Sequence, residues 1–245
     1  MNERNYDKEL VDNNDRKYAY NFDYDVMHPY MIKSFMPFIK YNDVLELGCY
    51  QGAFTKRLQD LFSDITCIEA SEDAIKAAKS VLRNDVKIIH DTFEKAVLDK
   101  KFNNIIMTHV LEHIDDPVSV LKRIKNEWLT DNGNFFLVCP NANAPSRQIA
   151  VKMGLIEYNS AVTDGEKKHG HRITYTFDTL EKDVKRAGFK VVHRSGIFFK
   201  TLANFQWDKI LQTDIVSKEY LDGCFELGQQ YPDLCASIFL LCRGD

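Results

Sequence analysis

Between residues 43 and 140, short apolar segments alternate with segments of helical periodicity. The apolar segments are DVLELG (43–48), ITCIEA (65–70), VKIIHD (86–91), NIIMTH (104–109) and NFFLVCP (134–140), and their β-branched and aliphatic residues predict strands. Most of the segments between them, such as DAIKAAKSVL, place apolar residues at helical spacing. Nearly continuous apolar strands separated by helices indicate a parallel sheet that is covered by helices on both faces. Because such crossovers are right-handed, a doubly wound α/β sheet is the simplest topology.

The rest of the chain extends this sheet and adds segments around it. A helix at 176–188 and strands at 190–195 and 237–243 would bring the sheet to seven strands. The first 40 residues end in the amphipathic pattern HPYMIKSFMPFI, which predicts an N-terminal helical lid, and Tyr18, Tyr20 and Tyr24 would either close over a ligand or anchor the first helix. We therefore predict one domain over 1–245: the lid (1–40), the core (41–195), an insertion or cap (196–236) and the last strand (237–245).

Composition narrows the function classes. Hydrophobic residues make up 44% and charged residues 28% of the 245 positions, as in ordinary soluble proteins, and the net charge of −4 gives no reason to expect a nucleic-acid partner. No apolar run approaches the ~20 residues that would span a bilayer. The polar start MNERNYDKEL lacks the pattern of a signal peptide, and six cysteines without a CxxC pair predict reduced thiols. A cytoplasmic protein is expected.

The clearest candidate site is the turn in VLELGCYQGAFT (44–55), where a strand leads into a helix. Gly48 would allow a tight turn, and Gly52 would allow a close approach of the backbone to a ligand. About 20 residues further on, Glu69 ends the second strand, where an acid can accept both ribose hydroxyls. These residues alone predict a nucleotide-type ligand; an NAD-binding domain and a doubly wound domain without a cofactor remain alternatives.

This array resembles that of class I methyltransferases that use S-adenosylmethionine (SAM), especially the group that includes quinone-biosynthesis and small-molecule O-methyltransferases. The family pattern E/D-x-G-x-G-x-G corresponds here to Glu46-Leu-Gly48-Cys-Tyr50-Gln-Gly52, with Tyr50 in place of the middle glycine. THVLEHIDDP (108–117) is similar to the family's segment after the fourth strand, and LTDNGNFFLVCPN (129–141) to its glycine turn and fifth strand. The resemblance, over about residues 40 to 195, implies a Rossmann-like seven-stranded fold, SAM as methyl donor and a SAM-binding core.

The resemblance also implies which residues contact the cofactor. Glu69 corresponds to the acid that binds ribose and Asp91 to the acid that contacts adenine. The expected contacts are Glu46, Gly48, Cys49, Tyr50, Gly52, Glu69, Ala70, Asp91, Thr92, Phe93 and His109. The Glu-x-Gly start, Asp91 and the LEH segment favour SAM over NAD.

Histidines are the candidate catalytic residues on the acceptor side. Transfer of a methyl group to an alcohol needs a general base or a metal ion, whereas a phosphate or carboxylate oxygen needs neither. His113 follows the fourth strand, and His169 and His171 lie two residues apart, so that both would face one ligand in an extended chain. The alternative is that these histidines only orient loops. A divalent ion held by His169 and His171 with Glu157 or Asp164 is a further alternative, but it is not expected, because His-x-His alone is a weak metal signal.

The acceptor itself is suggested by a further resemblance. The stretch EYN…GHR…YT…LEKD…AGF…GIFFK…LANFQWD is similar to bacterial methyltransferases associated with cell-surface polysaccharide synthesis. This resemblance implies O-methylation of a small sugar, a nucleotide sugar or a phosphorylated capsule or lipopolysaccharide precursor, a phosphate or phosphoramidate oxygen included. Arg172 would form a fork for a phosphate or carboxylate. The expected substrate contacts are Asn141, Tyr158, Arg172, Tyr175 and Lys200.

Three other functions remain open at this point. N-methylation of an amino sugar would use the same pocket, a catalytically silent SAM-binding scaffold is kept open by Tyr50, and an NAD oxidoreductase would bind no SAM. The aromatic stretch 196–209 would form a pocket wall, a packed cap or a homodimer contact. We expect a small-molecule acceptor as the partner, no nucleic acid and no membrane span.

Overall fold

A computed structural model describes residues 4–13, 16–40 and 42–244. Seven strands form one sheet in the order β3-β2-β1-β4-β5-β7-β6. The strands are β1 (Asp43–Leu47), β2 (Asp64–Glu69), β3 (Lys87–His90), β4 (Phe102–Thr108), β5 (Leu129–Pro140), β6 (Phe189–Phe199) and β7 (Cys235–Gly244). The first five pair in parallel, and β7 runs antiparallel to both β5 and β6. The predicted seven-stranded α/β sheet is confirmed.

Helices connect and cover the strands. They are α1 (Tyr6–Glu9), α2 (His28–Phe35), α3 (Ala53–Leu58), α4 (Glu72–Val81), α5 (Pro117–Arg123), α6 (Pro145–Lys152), α7 (Asp164–Lys168), α8 (Phe177–Arg186), α9 (Asn204–Ile210) and α10 (Lys218–Gln230). Shorter 3₁₀ turns occur at Met36–Phe38, Leu111–His113 and Pro232–Leu234, and π-helical turns at Asp23–Met27 and Ile124–Trp128. No helix among the described residues is long and apolar enough to cross a membrane.

The last two strands are longer than the sequence pattern predicts. The segment beginning at 196 was expected to belong to the insertion, but β6 continues to Phe199 and pairs there with the start of β7 at Cys235. Ile197 and Phe198 are fully buried, so burial on both faces extends the strand. The helical part of the insertion, α9 and α10, begins only after this strand.

Alternate side chains of the sheet enter two separate apolar cores. Leu45 and Leu47 of β1 belong to the core that α5 and α8 cover, whereas Val44 belongs to the opposite core. The second core includes side chains of α2, α9 and α10, among them Phe35 and Trp207. All six cysteines are free, and all except Cys224 are buried.

Helix α2 is fixed to the sheet by Phe35, which is fully buried. Its ring centroid lies 5.0 Å from that of Phe136 on β5 and 4.9 Å from that of Phe239 on β7. Aromatic pairs at such distances add to the stabilisation that burial itself provides. This packing holds α2, and with it the N-terminal segment (residues 4–13 and 16–40), against strands β5 and β7.

Replacing Phe35 by alanine should therefore destabilise the whole domain. Phe35→Ala is expected to lower the free energy of unfolding by about 3–5 kcal/mol, because it leaves a cavity between α2 and the sheet. The neighbouring Met36 is 39% exposed, so Met36→Ala should change the same quantity by less than about 0.5 kcal/mol. Urea denaturation of both variants measures the difference; equal stabilities would contradict this packing.

Candidate active site

A cavity of about 860 Å³ lies at the carboxyl ends of the parallel strands. Glu69 ends β2, and Gly48 and His109 directly follow β1 and β4; all three line the cavity. In doubly wound sheets this edge is the place where ligands bind. Residues of the N-terminal segment, of the 140–171 connection and of the start of α9 complete the walls.

The turn after β1 has a left-handed backbone at three positions. The φ angles are 79° at Gly48, 47° at Tyr50 and 83° at Gly52. A Cβ atom on Gly48 would lie 2.5 Å from Cγ2 of Val110, so only glycine fits there. Tyr50 adopts a left-handed backbone that glycine takes readily, at a conformational cost of about 1–2 kcal/mol. The tyrosine therefore keeps a backbone path that a glycine at this position could also take.

Glu69 is held at the edge of the cavity by its own neighbours and by this turn. One carboxylate oxygen accepts a hydrogen bond from the main-chain N–H of Tyr50 (2.8 Å), and the other accepts two, from those of Ala70 and Ser71 (both 2.9 Å). Burial raises the pKa of Glu69, while the three N–H groups act in the opposite direction. The carboxylate is thus fixed in position beside the cavity.

The structure brings most of the predicted cofactor residues to the cavity. Those that line it are Glu46, Gly48, Cys49, Tyr50, Glu69, Ala70, Thr92, Phe93 and His109. Glu46 is almost fully buried, and burial raises its pKa to about 7. Cys67 donates a hydrogen bond to its carboxylate.

Two predicted cofactor residues are not part of the cavity wall. A Cβ on Gly52 would approach Leu82 and Ala78 at 3.1 and 3.3 Å, so this glycine allows close packing of α3 against α4. Asp91 points to its own loop, where its carboxylate accepts a hydrogen bond from the N–H of Thr92 (2.8 Å). Glu94, three residues later, lines the cavity instead. Gly52 and Asp91 thus lie outside the cavity wall, and their contacts with the cofactor stay predictions.

The N-terminal segment lies against the turn that follows β1 and against His113 and His169. The ring of Tyr18 lies 4.9 Å from that of Tyr50 and 5.4 Å from that of His169. Arg4 donates a hydrogen bond to the main-chain oxygen of His113 (2.7 Å), and the Ser71 hydroxyl donates one to Asp7 (2.6 Å). These contacts join the segment to both sides of the cavity.

A second polar region of the cavity surrounds Lys200, which is 9% exposed. Its ammonium group contacts the side-chain oxygen of Asn204 and lies 4.9 Å from the ring centroid of Phe22. The Asn204 amide in turn donates to Asp23 (2.9 Å). Burial lowers the pKa of Lys200 to about 8, although the nearby Asp23 carboxylate favours the charged form. Lys200 is thus a cation held by a short polar chain.

The candidate catalytic histidines lie close to one another but have different surroundings. The rings of His113 and His171 are 4.4 Å apart, centroid to centroid. His169 instead faces the N-terminal segment. Its Nδ1 donates to the main-chain oxygen of Glu9 (3.0 Å), and its Nε2 lies 2.9 Å from the side-chain amide nitrogen of Asn13.

His109 lies apart from these three histidines in its contacts, because its Nε2 pairs with the Ser237 hydroxyl (2.8 Å). Burial lowers the pKa of His171 to about 3 and that of His109 to about 4. Such values make weak general bases near neutral pH.

Three of the predicted substrate residues do not reach the cavity. Tyr158 is 55% exposed on the surface, and Tyr175 is fully buried in the core with its hydroxyl 3.3 Å from Asp183. Arg172 forms an ion pair with Asp115 (2.6 Å) outside the cavity. Asn141 lines the cavity, but its amide donates to the main-chain oxygens of Asp233 and Cys235. Of the five predicted substrate residues, Lys200 is therefore the one that presents a charged group to the cavity.

Several cavity residues have no signal in the sequence. Glu166 pairs with Arg147 (2.8 Å) and with Arg16 (3.2 Å), which are far from it in the chain. No local sequence pattern predicts ion pairs between residues so far apart in the chain. Glu112 belongs to the LEH segment, but the catalytic role was predicted for the neighbouring His113. The other unpredicted polar residues of the wall include Asp23 and Ser237.

Comparison with known proteins places the fold in a family. Residues 15–194 match a family described as a methyltransferase domain. Nodulation protein S of Azorhizobium caulinodans is 32% identical over 101 residues, which are 40% of this chain and 49% of that protein. The mitochondrial ubiquinone biosynthesis O-methyltransferase of Schizosaccharomyces pombe is 28% identical over 92 residues, 34% of each chain. The matched regions thus span half or less of these relatives.

A solved structure shows the same fold over nearly the whole chain. The SAM-dependent methyltransferase of Thermotoga maritima superposes with a TM-score of 0.64 at 15% identity, covering 92% of this chain and 93% of that one. At this identity the likeness concerns the fold, whereas the family match covers most of the sequence. The chain belongs to the methyltransferase-domain family.

Proposed function

We propose that this protein transfers a methyl group from SAM to a small-molecule acceptor. The observation that carries the proposal is the Glu69 carboxylate, which three main-chain N–H groups fix beside the glycine turn at the ligand-binding edge of the sheet. An acid in this place can accept the two ribose hydroxyls of a nucleoside. Family membership supports the same interpretation, as does the similarity to a ubiquinone biosynthesis O-methyltransferase and to a SAM-dependent methyltransferase.

Nine of the predicted cofactor residues would contact SAM in this proposal. Glu69 and Ala70 would bind the ribose, Thr92 and Phe93 would lie beside adenine, and the turn at 48–50 would approach the cofactor with its backbone. Glu46 and His109 would face the methionine part. The silent-scaffold alternative depends on Tyr50, and the left-handed backbone of Tyr50 argues against it because the loop keeps its path.

The acceptor would be an anionic, hydroxylated small molecule. Lys200 is a buried cation on the cavity wall, and a phosphate group is a ligand that would compensate its burial. A phosphorylated sugar or nucleotide sugar, as in surface polysaccharide synthesis, has this chemistry. The methyl group would then be transferred to one of its oxygens by an in-line displacement at the sulfonium. The single-domain division and the lid at 1–40 belong to the same proposal.

The cofactor assignment is tested through Glu69. Glu69→Gln should weaken SAM binding about 10- to 100-fold, because it removes a charged acceptor of two hydroxyl groups. Glu72 is exposed at the start of α4, so Glu72→Gln is the matched control and should bind SAM normally. Calorimetric titration with SAM, its demethylated product and NAD measures both variants. Unchanged SAM affinity in Glu69→Gln, or preference of the natural chain for NAD, would refute the assignment.

The acceptor assignment is tested through Lys200. A panel of phosphorylated sugars and nucleotide sugars is assayed by release of the demethylated cofactor. With the best acceptor, Lys200→Met should lower kcat/KM at pH 7 at least about 10-fold and leave SAM affinity unchanged. The exposed Lys209 supplies the control Lys209→Met.

The pH profile provides a second readout for Lys200. Its ammonium group is charged below a pKa of about 8 and neutral above it. The natural chain should therefore lose kcat/KM for a phosphorylated acceptor as the pH rises through about 8, and Lys200→Met should lack this decline. A decline that persists in the variant, or full activity of the variant, would remove Lys200 from acceptor binding.

A further inference from the structure

Three potential metal ligands meet on the cavity wall. Glu112 and His113 lie in the 3₁₀ turn that follows β4, and His171 lies in the connection that precedes α8. One ligand atom from each of the three side chains lies within 4.8 Å of the other two. Metal–ligand bonds of about 2.0–2.2 Å place the donors around one cation within about 4.4 Å of each other, so small side-chain rotations would bring all three to a common ion.

The Glu112 carboxylate is the strongest sign of a missing partner. Glu112 is 1% exposed, and neither of its side-chain oxygens has a hydrogen-bond partner among the described residues. A buried carboxylate without a partner costs several kcal/mol, and proteins normally pair such a group or use it to coordinate a metal ion. A cation at this point would be coordinated by one of these oxygens and would balance the charge of the carboxylate.

Arg16, whose positive charge acts on Glu112, does not take this place. Arg16 is engaged with Glu166, which also binds Arg147. The paired acid balances part of the positive charge that would otherwise repel a metal ion. Neither Arg16 nor Arg147 therefore serves as the cationic partner of the Glu112 carboxylate.

The main chain fixes the two halves of the cluster relative to each other. The N–H of Arg172 donates to the main-chain oxygen of Glu112 (2.7 Å), so the segment carrying His171 is attached to the turn carrying the other two ligands. The N–H of His171 donates to the main-chain oxygen of Glu166 (3.0 Å). Ligands from distant parts of the chain are thereby preorganised, as a metal site requires.

We propose that Glu112, His113 and His171 bind one divalent transition-metal ion. Two imidazole nitrogens and one carboxylate oxygen suit Zn²⁺, Mn²⁺, Fe²⁺ or Co²⁺ better than Mg²⁺ or Ca²⁺, which prefer oxygen ligands. Three protein ligands leave coordination positions open, as in catalytic rather than structural sites. His169 is not a ligand, because both of its ring nitrogens face the N-terminal segment.

The role of the ion rests on the proposed methyl transfer. A hydroxyl oxygen of the acceptor would occupy an open position and lose its proton to solvent water more readily. That oxygen forms a bond to the methyl carbon as the carbon–sulfur bond breaks, and the cofactor leaves as its neutral thioether. The substrate class is therefore an alcohol, with Lys200 binding its anionic group.

Metal binding is tested on tag-free protein that has been stripped with EDTA and dialysed. Titration with Co²⁺, followed by visible absorption, and with Zn²⁺, followed by calorimetry, should show one equivalent bound. Glu112→Gln and His171→Asn should each weaken binding more than about 100-fold, since loss of a ligand exceeds the effect of losing an outer contact. Glu219→Gln on the surface and His193→Asn on β6 are the controls and should bind the ions normally.

The outcomes separate this inference from the proposed function. No stoichiometric ion in the natural chain, or undiminished binding in both ligand variants, overturns the metal site. SAM affinity is measured on the same samples: its retention shows that the variants are folded, and its absence in the natural chain refutes the cofactor assignment while the metal titration stays interpretable. Methyl transfer to an alcohol should stop after EDTA treatment and return with Zn²⁺ or Mn²⁺; transfer that is insensitive to the chelator overturns the role of the ion.

Discussion

The hydrogen bonds between the Glu69 carboxylate and the main chain hold the ligand-binding edge of the sheet together. They connect the end of β2 with the turn that follows β1, because Tyr50 donates to one oxygen while Ala70 and Ser71 donate to the other. The parallel register, with Leu47 opposite Ile68, brings the two strand ends level. Hydrogen bonds to a charged group contribute about 1.5–3 kcal/mol each, which offsets part of the cost of burying the carboxylate. The shape of the cofactor side of the cavity follows from this contact.

The same contact explains how a tyrosine can stand where the family pattern has a glycine. The left-handed backbone at position 50 costs a tyrosine about 1–2 kcal/mol, and the hydrogen bond from its N–H to Glu69 compensates for it. Its side chain then contacts Tyr18 of the N-terminal segment. A glycine would provide the turn without this contact. The substitution thus couples the cofactor turn to the segment that covers it.

The sheet could be predicted from the sequence because burial imposes a pattern on each strand. The acceptor side could not, since it depends on the path of an irregular segment. His169 and His171 were expected to share one face of an extended chain, but Gly170 has a φ angle of 84° and turns the chain between them. His169 therefore follows the end of α7 and faces Glu9, while His171 faces His113. Likewise, Arg172 was predicted to bind an anion of the substrate. Its guanidinium group instead donates a hydrogen bond to Asp115, which lies 57 residues earlier in the chain.

The cavity combines buried ionisable groups whose burial favours their neutral forms. Burial lowers the pKa values of His109 and His171 and raises those of Glu46 and Glu112, in both cases disfavouring charge. A structure that only had to be stable would gain by replacing such groups with apolar residues. Their concentration on one wall is therefore typical of a site whose ligands supply the missing charges. In SAM the sulfonium is cationic, and its positive charge disappears when the methyl group leaves. The negative charge of poorly solvated acids beside it would therefore be balanced before the transfer and less so after it.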